Sequence, residues 1–256
     1  MCLKFYQSSQ NTKAESYLKL WLDMFRKNFV RRSWVKEKVC QIYDTFDFAA
    51  RHPISTLRKI AHESTVDFIT KNCMWATAQR TSKGLMDISL QRVKENGVFT
   101  EFGVFKGASI RYLANQNPHR EIHGFDSFVG LPEAWVHYPK NTFSLGGNLP
   151  KVPSNVTLHK GFFEDTLPLW VESHREEIDL LHIDCDLYSA TKTIFHYLKH
   201  QIKPGTVIVF DDYFNYPLWE EFGHKAFLEF SDECGVEYDY IGYAYKELSV
   251  VITQIN

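Results

Sequence analysis

The chain has 256 residues, 44% hydrophobic and 15% aromatic, enough for one large buried core or for a domain with an extension. Its net charge of −2 excludes a general polyanion-binding role. The five cysteines are scattered, which argues against a disulfide framework. The sequence has no apolar run of the roughly 20 residues that a membrane span needs and no apolar core of a signal peptide, so we expect a cytoplasmic protein.

The N-terminal third has the periodicity of helices over residues 14–95. We predict a helical extension or cap over 1–80, followed by the main domain over 81–256. The aromatic side chains of the extension favour packing, either within a core or between the subunits of a homo-oligomer. The stretches with helical spacing are 18–29, 35–46, 54–61 and 82–95.

From Val98 onward, predicted strands alternate with predicted helices. Near-continuous apolar runs such as TVIVF predict strands that are buried on both faces. This pattern predicts an α/β fold with a doubly wound, mostly parallel sheet, whose ligands bind at the carboxyl ends of the strands. The last two strands have no helix between them, which predicts an antiparallel hairpin at the edge. The predicted strands are VFTEFGV, EIHGFDSF, VTLHKGFF, EIDLLHIDCDLY, GTVIVFDDY, EYDYIGYAY and LSVVITQI.

The first of these strands leads into a glycine loop. Gly103 and Gly107 flank a turn that lets the backbone come close to a ligand. Ser109 lies near the start of the next helix, where free N–H groups favour an anion. Glu101 adds a carboxylate that repels a pyrophosphate and attracts a cationic amino group. The pattern E-x-G-x-x-x-G therefore differs from the G-x-G-x-x-G of dinucleotide-binding loops.

Carboxylates follow each predicted core strand. Asp126 lies about 20 residues beyond the glycine loop, where an acid can accept hydrogen bonds from a ribose diol. Asp184, Asp211 and Asp212 follow two further strands, and since neighbouring strands lie about 4.8 Å apart, these acids should converge. Each close pair repels by roughly 1–4 kcal/mol, so the group needs a proton or a cation. Oxygen ligands favour a hard ion such as magnesium over zinc.

Five motifs occur in order: EFGVFKGAS, GFDSFVGLPE, KGFFEDTLP, LLHIDCDLY and TVIVFDDY. Over roughly residues 80–235 they resemble the macrocin O-methyltransferase-like family of class I S-adenosylmethionine-dependent methyltransferases. The resemblance implies a seven-stranded, Rossmann-like sheet with a reversed C-terminal hairpin. It also implies Mg²⁺-dependent transfer of a methyl group to a hydroxyl of a sugar or natural-product-like small molecule.

The resemblance further implies roles for single residues. Asp184, Asp211 and Asp212 would bind the metal. The similar catechol-type enzymes use a lysine as base at the position that Leu187 occupies here, so we predict Asp184 as the catalytic base. Asp186 is the weaker candidate, with helix capping as its alternative role. The predicted cofactor-binding residues are Glu101, Gly103, Gly107 and Ser109 for the methionine end, Asp126 and Ser127 for the ribose, and Phe163 and Glu164 for the adenine.

Other functions share part of this pattern. An NAD-dependent oxidoreductase on a Rossmann-like fold would explain the strand, the glycine loop and the ribose acid, but not the three converging aspartates. A non-catalytic cofactor-binding protein would have no reason to keep three repelling carboxylates. A metal-dependent phosphohydrolase would need phosphate-binding cations, of which only Lys106 and Lys192 are candidates. The long polar loop 132–154 is predicted to be a lid. We expect no nucleic-acid or membrane partner.

Overall fold

The structure is a computed structural model that describes residues 52–94 and 97–256, together with Lys38. The chain divides into two compact units, 1–56 and 57–256. The helices predicted over 18–29 and 35–46 lie outside the described residues, apart from Lys38, which is helical. The predicted extension, its boundary at residue 80 and the homo-oligomer therefore stay predictions.

Six α-helices are described, and both of the helices predicted over 54–61 and 82–95 are among them. The described part of the chain contains no helix that combines the length and the apolar character needed to cross a bilayer. The helices are α1 (Pro53–Phe68), which continues into a π-helical turn (Ile69–Cys73), α2 (Ser82–Leu90), α3 (Ala108–Gln116), α4 (Phe163–Ser173), α5 (Tyr188–Leu198) and α6 (Gly223–Cys234), with a 3₁₀ turn (Trp219–Glu221) before α6.

The described strands form one mixed sheet in the order β1-β7-β8-β6-β5-β2-β3-β4. All seven predicted strands are present, and the two-residue strand β1 adds an eighth. The strands are β1 (Thr77–Ala78), β2 (Val98–Phe102), β3 (Ile122–Asp126), β4 (Val156–Lys160), β5 (Ile178–Ile183), β6 (Val207–Phe210), β7 (Glu237–Tyr243) and β8 (Leu248–Gln254).

The predicted antiparallel hairpin is confirmed, but its place in the sheet differs from the prediction. Strand β8 lies between β6 and β7 and is antiparallel to both, while β1 pairs with β7 at the outer edge. The hairpin is thus built into the sheet, and the turn between its strands lies beside the end of β6. Tyr213 N donates to Lys246 O at 2.9 Å at this junction.

Strands β2 to β6 pair with one another in parallel, and the strand order reverses at β2. The chain passes outward from β2 through β3 to β4, then returns to the other side of β2 with β5 and β6. Such a reversal leaves a crevice between the helices on the two faces, at the carboxyl ends of the strands. Every residue of β2, β5 and β6 is buried, which confirms the prediction from the apolar runs.

Helix α4 has no counterpart in the sequence-based prediction. It contains Pro168, a residue that removes a helical hydrogen bond and usually marks the end of a helix. The helix is retained because Leu167 and Trp170 are buried against the sheet at 0% and 2% exposure. Tertiary burial therefore outweighs the local signal of the proline, and the chain gains a helix that starts beside the crevice.

Candidate active site

A cavity of about 380 Å³ opens in this crevice, within the size range of small-molecule sites. Its wall combines the glycine loop, the ends of β3, β5 and β6, the start of α4 and part of the loop predicted as a lid. The residues that line it are Gly103, Phe105, Asp126, Ser127, Gly130, Leu131, Pro132, Trp135, Tyr138, Phe143, Gly161, Phe162, Phe163, Glu164, Asp184, Cys185, Asp186, Leu187, Ser189, Ala190, Asp211, Asp212 and Lys246.

Gly103 allows the ends of β2 and β5 to meet. Its backbone has φ +95°, and a Cβ at this position would lie 1.6 Å from the carbonyl oxygen of Asp184. The Asp184 N–H donates to Phe102 O at 2.8 Å, which continues the strand pairing to this point. Only glycine fits this contact, so the sequence of the loop determines where Asp184 stands.

Asp126 holds the glycine loop in place. One carboxylate oxygen accepts hydrogen bonds from Val104 N and Phe105 N, at 2.9 and 2.7 Å. The other accepts from Phe128 N at 2.7 Å. Asp126 also lines the cavity. The predicted contact with a ribose stays a prediction, and the structure adds a role in shaping the loop.

Glu101 lies behind the loop. Its side chain is completely buried; one oxygen accepts from Ser109 Oγ at 2.8 Å, and the other contacts His182 Nδ1 at 2.9 Å. Burial alone would lower the pKa of His182, but the hydrogen bond to Glu101 and nearby carboxylates raise it above its ordinary value. Of the four residues predicted for the methionine end, Gly103 alone lines the cavity. The roles of Glu101, Gly107 and Ser109 in cofactor binding stay predictions.

The residues predicted for the ribose and the adenine all line the cavity. Phe163 and Glu164 begin α4, and the ring of Phe163 packs edge-on against Phe102 at 5.2 Å. Ser127 Oγ accepts from Val129 N and donates to the Gly130 carbonyl, at 3.2 and 3.3 Å. Since Ser127, Phe163 and Glu164 line one end of the cavity, the geometry of that end is compatible with a nucleoside.

The three predicted metal ligands converge, as expected. One carboxylate oxygen from each of Asp184, Asp211 and Asp212 lies within 4.8 Å of the others. Burial, followed by repulsion from Asp211, raises the pKa of Asp184 well above its ordinary value. Burial and the neighbouring Asp212 also raise the pKa of Asp211, although His182 acts in the opposite direction. Such a dense set of oxygen ligands fits a hard dication.

Asp186 belongs to the same acidic group. It lines the cavity, and burial together with the charge of Asp212 raises its pKa well above the ordinary value. The alternative that Asp186 caps the next helix is not supported, because α5 begins after Leu187 without a side-chain cap. The choice between Asp184 and Asp186 as the base stays open. The backbone carbonyl of Asp184 contacts Gly103, which places Asp184 beside the glycine loop.

Lys246 is a site residue that the sequence analysis missed. Its Nζ contacts Asp212 Oδ1 from the turn between β7 and β8. Backbone hydrogen bonds fix the turn, since Lys246 O accepts from Tyr213 N and Lys246 N donates to Glu247 Oε2 at 2.9 Å each. Burial alone would lower the pKa of Lys246, but Asp212 outweighs burial and raises it. The lysine therefore supplies one fixed positive charge to the acidic group.

We expect Lys246→Gln to lower the free energy of unfolding of the metal-free protein by about 1–3 kcal/mol, because Asp212 loses its partner. Added Mg²⁺ should then raise the melting temperature more in the variant than in the wild type. Thermal melts in EDTA and in Mg²⁺ measure both effects. The matched control is Lys192→Gln, which breaks an exposed ion pair with Glu229 and should leave the melting temperature near that of the wild type, because solvent screens such pairs. Equal melting behaviour of the two variants would contradict this role.

An aromatic wall closes the side of the cavity formed by the predicted lid. The rings of Trp135 and Tyr138 are stacked at 5.4 Å and 11°, and Tyr138 contacts Phe143 at 5.4 Å. Phe143 also packs edge-on against Phe105 of the glycine loop at 5.7 Å. These residues were not predicted individually, because aromatic residues in a polar loop carry no periodicity that would place them.

Behind the acids, His224 is enclosed by aromatic rings. It contacts the Tyr213 hydroxyl through Nδ1 at 2.8 Å and packs edge-on against Phe68 at 5.4 Å. Burial lowers the pKa of His224 from 6.5 to about 4. Its folded-state pKa thus lies below the unfolded value, so its contribution to stability is present above about pH 6.5 and is lost as the pH falls toward 4.

We therefore expect His224 to contribute up to about 3 kcal/mol to the loss of folding free energy between neutral pH and pH 4. His224→Gln should remove that part of the pH dependence, which urea titrations at several pH values measure. The exposed His200→Gln should leave the pH dependence as in the wild type. An identical pH profile for His224→Gln and wild type would contradict the assignment.

Comparisons with known proteins find similarity to methyltransferases. A family model described as a methyltransferase domain matches residues 100–213, which include the glycine loop and the three aspartates. The 8-demethyl-8-(2,3-dimethoxy-alpha-L-rhamnosyl)-tetracenomycin-C 4'-O-methyltransferase of Streptomyces olivaceus is 25% identical. That alignment covers 54% of this chain and 64% of the relative, so it spans less than two thirds of the relative's length.

Two solved structures share the fold. CalS11, a calicheamicin methyltransferase, is 18% identical with a TM-score of 0.54, covering 88% of this chain and 95% of its own. The O-methyltransferase NovP is 20% identical with a TM-score of 0.52, covering 67% of this chain and 80% of its own. The predicted fold class is confirmed, and so is the resemblance in sequence. Residues 100–213 are therefore similar to a methyltransferase domain, and the chain shares the fold of these two O-methyltransferases.

Proposed function

We propose that this protein is an O-methyltransferase that moves a methyl group from S-adenosylmethionine to a hydroxyl of a sugar or natural-product-like small molecule, with Mg²⁺ as a required ion. The observation that carries the proposal is the convergence of Asp184, Asp211 and Asp212 within 4.8 Å at the cavity. These acids adjoin the glycine loop, because Gly103 contacts the Asp184 carbonyl. The alternative function, an NAD-dependent oxidoreductase, does not require three converging carboxylates.

The residues divide the cavity into two ends. Asp126, Ser127, Phe163 and Glu164 form the end that suits a nucleoside, and the aspartates form the end that suits a metal. S-adenosylmethionine would supply an electrophilic methyl group, and Mg²⁺ held by the aspartates would make an acceptor hydroxyl more acidic. Asp184 would take the hydroxyl proton on a carboxylate oxygen. The cavity walls align the reacting groups, an effect worth about 7–11 kcal/mol in well-oriented systems.

The class of acceptor rests on two observations. The aromatic wall of Trp135, Tyr138 and Phe143 lines the same cavity as the acids, and apolar ring surface in this wall can pack against the C–H face of a sugar ring. The relative from Streptomyces olivaceus is named as a 4'-O-methyltransferase of a rhamnosyl-bearing tetracenomycin. Both favour a sugar hydroxyl, either on a free sugar or on a glycosylated product.

The test is methyl transfer from S-adenosylmethionine with a deuterated methyl group to a panel of nucleotide-linked sugars, glycosylated polyketides and polyphenols, followed by mass spectrometry. We expect a labelled methyl ether with Mg²⁺ and none with excess EDTA. Binding measured by thermal shift separates the alternatives. S-adenosylhomocysteine should raise the melting temperature, whereas NAD should not. Product formation in EDTA would contradict the metal requirement, and stabilisation by NAD alone would favour the oxidoreductase.

The loop 132–154 is proposed to be a lid over the bound small molecules. It contributes Trp135 and Tyr138 to the wall, and Trp135 is only 4% exposed while Tyr138 is 44% exposed. We expect amide hydrogen exchange in this loop to slow when S-adenosylhomocysteine binds, with α6 as an internal control that stays unchanged. Unchanged exchange in the loop would contradict a lid.

A further inference from the structure

A second cluster of metal-ligating side chains lies away from the cavity. It consists of Glu121, His123 and His174, whose nearest ligand atoms all lie within 4.8 Å of one another. None of the three lines the cavity. Along β3, His123 precedes Asp126 by three residues, roughly 10 Å of extended chain. The cluster is therefore separate from the three aspartates that the proposed reaction uses.

Strand β3 and helix α4 bring these three residues together. Glu121 directly precedes β3 and His123 is its second residue, so the two side chains point to the same face of the sheet. On that face α4 packs, and His174 follows directly at its C-terminus. The ring of His174 is held by stacking on Trp170 at 4.8 Å and 11°.

His123 has an unsatisfied nitrogen directed at this cluster. The residue is 1% exposed, and its Nε2 has no hydrogen-bond partner. That atom lies 3.4 Å from Glu121 Oε1, without the geometry of a hydrogen bond. Two ligands of a tetrahedral zinc ion, each ~2.0–2.1 Å from the metal, lie about 3.3 Å apart. The observed separation is therefore the one that a shared metal ion would require.

The other ring nitrogens are engaged in the way that metal-binding histidines require. Nδ1 of His174 lies 3.0 Å from both the Trp170 carbonyl and Ser173 Oγ; in the tautomer that donates to the carbonyl, Nε2 keeps its lone pair for a metal ion. Nδ1 of His123 lies 3.0 Å from Nε2 of His159, and this nitrogen of His159 can accept a hydrogen bond from His123. Such contacts to the second nitrogen fix the orientation of a ligating imidazole.

We propose that Glu121, His123 and His174 form a binding site for a zinc-like transition-metal dication. Two imidazoles and one carboxylate are ligands for zinc, cobalt or nickel rather than for magnesium. Glu121 is 61% exposed, so the remaining coordination position is open to water. The ion would fasten the end of α4 to β3. Since Phe163 and Glu164 at the start of the same helix line the cavity, the site would stabilise the wall of the nucleoside end.

The test is a titration of the full chain, free of any histidine tag, with Zn²⁺ by calorimetry and with Co²⁺ by visible absorption. Saturating Mg²⁺ is present to occupy the aspartates. We expect one equivalent to bind, with the absorption bands of a four- or five-coordinate Co²⁺ ion, and the melting temperature to rise by several degrees. His174→Gln and Glu121→Gln, both at accessible positions, should each weaken Zn²⁺ binding at least about 10-fold.

Two controls make the result specific. His196→Gln removes an exposed histidine on α5 and should leave Zn²⁺ affinity unchanged. Asp211→Asn alters the acidic site and should also leave this binding event unchanged. Zn²⁺ binding that is lost in Asp211→Asn and kept in His174→Gln and Glu121→Gln would overturn the proposal. Failure of the wild-type chain to bind Zn²⁺ or Co²⁺ would likewise overturn it, and would leave the cluster with a packing role against Trp170.

Discussion

Replacing Asp184 with asparagine is expected to lower kcat for methyl transfer by about 10²–10⁴-fold, the usual contribution of a positioned general base. Asparagine keeps the size of the side chain but cannot take a proton. Asp184 also provides one of the three converging carboxylates, so its loss should weaken the response to Mg²⁺. Steady-state kinetics over a range of Mg²⁺ concentrations measure both effects.

The binding of S-adenosylhomocysteine should survive in Asp184→Asn, because the nucleoside end of the cavity is built from other residues such as Asp126 and Phe163. Asp165→Asn is the matched control: it neutralises an exposed carboxylate in the first turn of α4, outside the cavity wall. Asp186→Asn tests the alternative base. A large loss of kcat in Asp186→Asn combined with near-normal turnover in Asp184→Asn would transfer the role to Asp186.

Replacing Gly103 with alanine is expected to destabilise the fold and to displace Asp184. The added Cβ would lie 1.6 Å from the Asp184 carbonyl oxygen, which is backbone and cannot rotate away. Overpacking of this kind costs about 1–3 kcal/mol, and the left-handed φ of +95° adds about 1–2 kcal/mol for any residue with a side chain. We expect a loss of about 2–5 kcal/mol in urea titrations and a fall in kcat of about 100-fold, because small misplacements of reacting groups are costly.

Gly146→Ala separates the two components of this effect. Gly146 also has a positive φ, +62°, but a Cβ there would meet its nearest neighbour, Asn148 Nδ2, at 3.8 Å, an ordinary contact. Gly146→Ala should therefore lose only the folding free energy that a side chain costs at a left-handed φ, about 1 kcal/mol, and should keep near-normal turnover. Equal losses in Gly103→Ala and Gly146→Ala would mean that the contact with the Asp184 carbonyl does not limit the position of β5.

Much of the site could be predicted because parallel sheets place strand ends together. The apolar runs identify the strands, and the residue that follows each run must lie at the same edge of the sheet. Asp184, Asp211 and Asp212 were assigned to one site on this basis, and their oxygens do converge. The glycine loop could also be predicted from the sequence, because a backbone that turns sharply between a strand and a helix requires glycines such as Gly103 and Gly107.

Contacts that depend on the packing of distant segments could not be predicted. Lys246 lies in a turn 34 residues beyond Asp212 and reaches it only because β8 inserts between β6 and β7. Glu101 was expected at the mouth of the cavity, yet its pairing with His182 across β2 and β5 holds it behind the loop. Helix α4 forms despite Pro168 because burial outweighs the local preference.

The sequence by itself determined the positions of the strands along the chain, the glycine turn and the carboxylates at the strand ends, because hydrophobic period and backbone stereochemistry are local properties of the chain. Only the tertiary structure decided which cation lies beside Asp212, how Glu101 is paired and that His123 meets His174. Those contacts join residues whose separation along the chain carries no signal, and they arise from the sheet order and the packing of α4, which the whole core determines together.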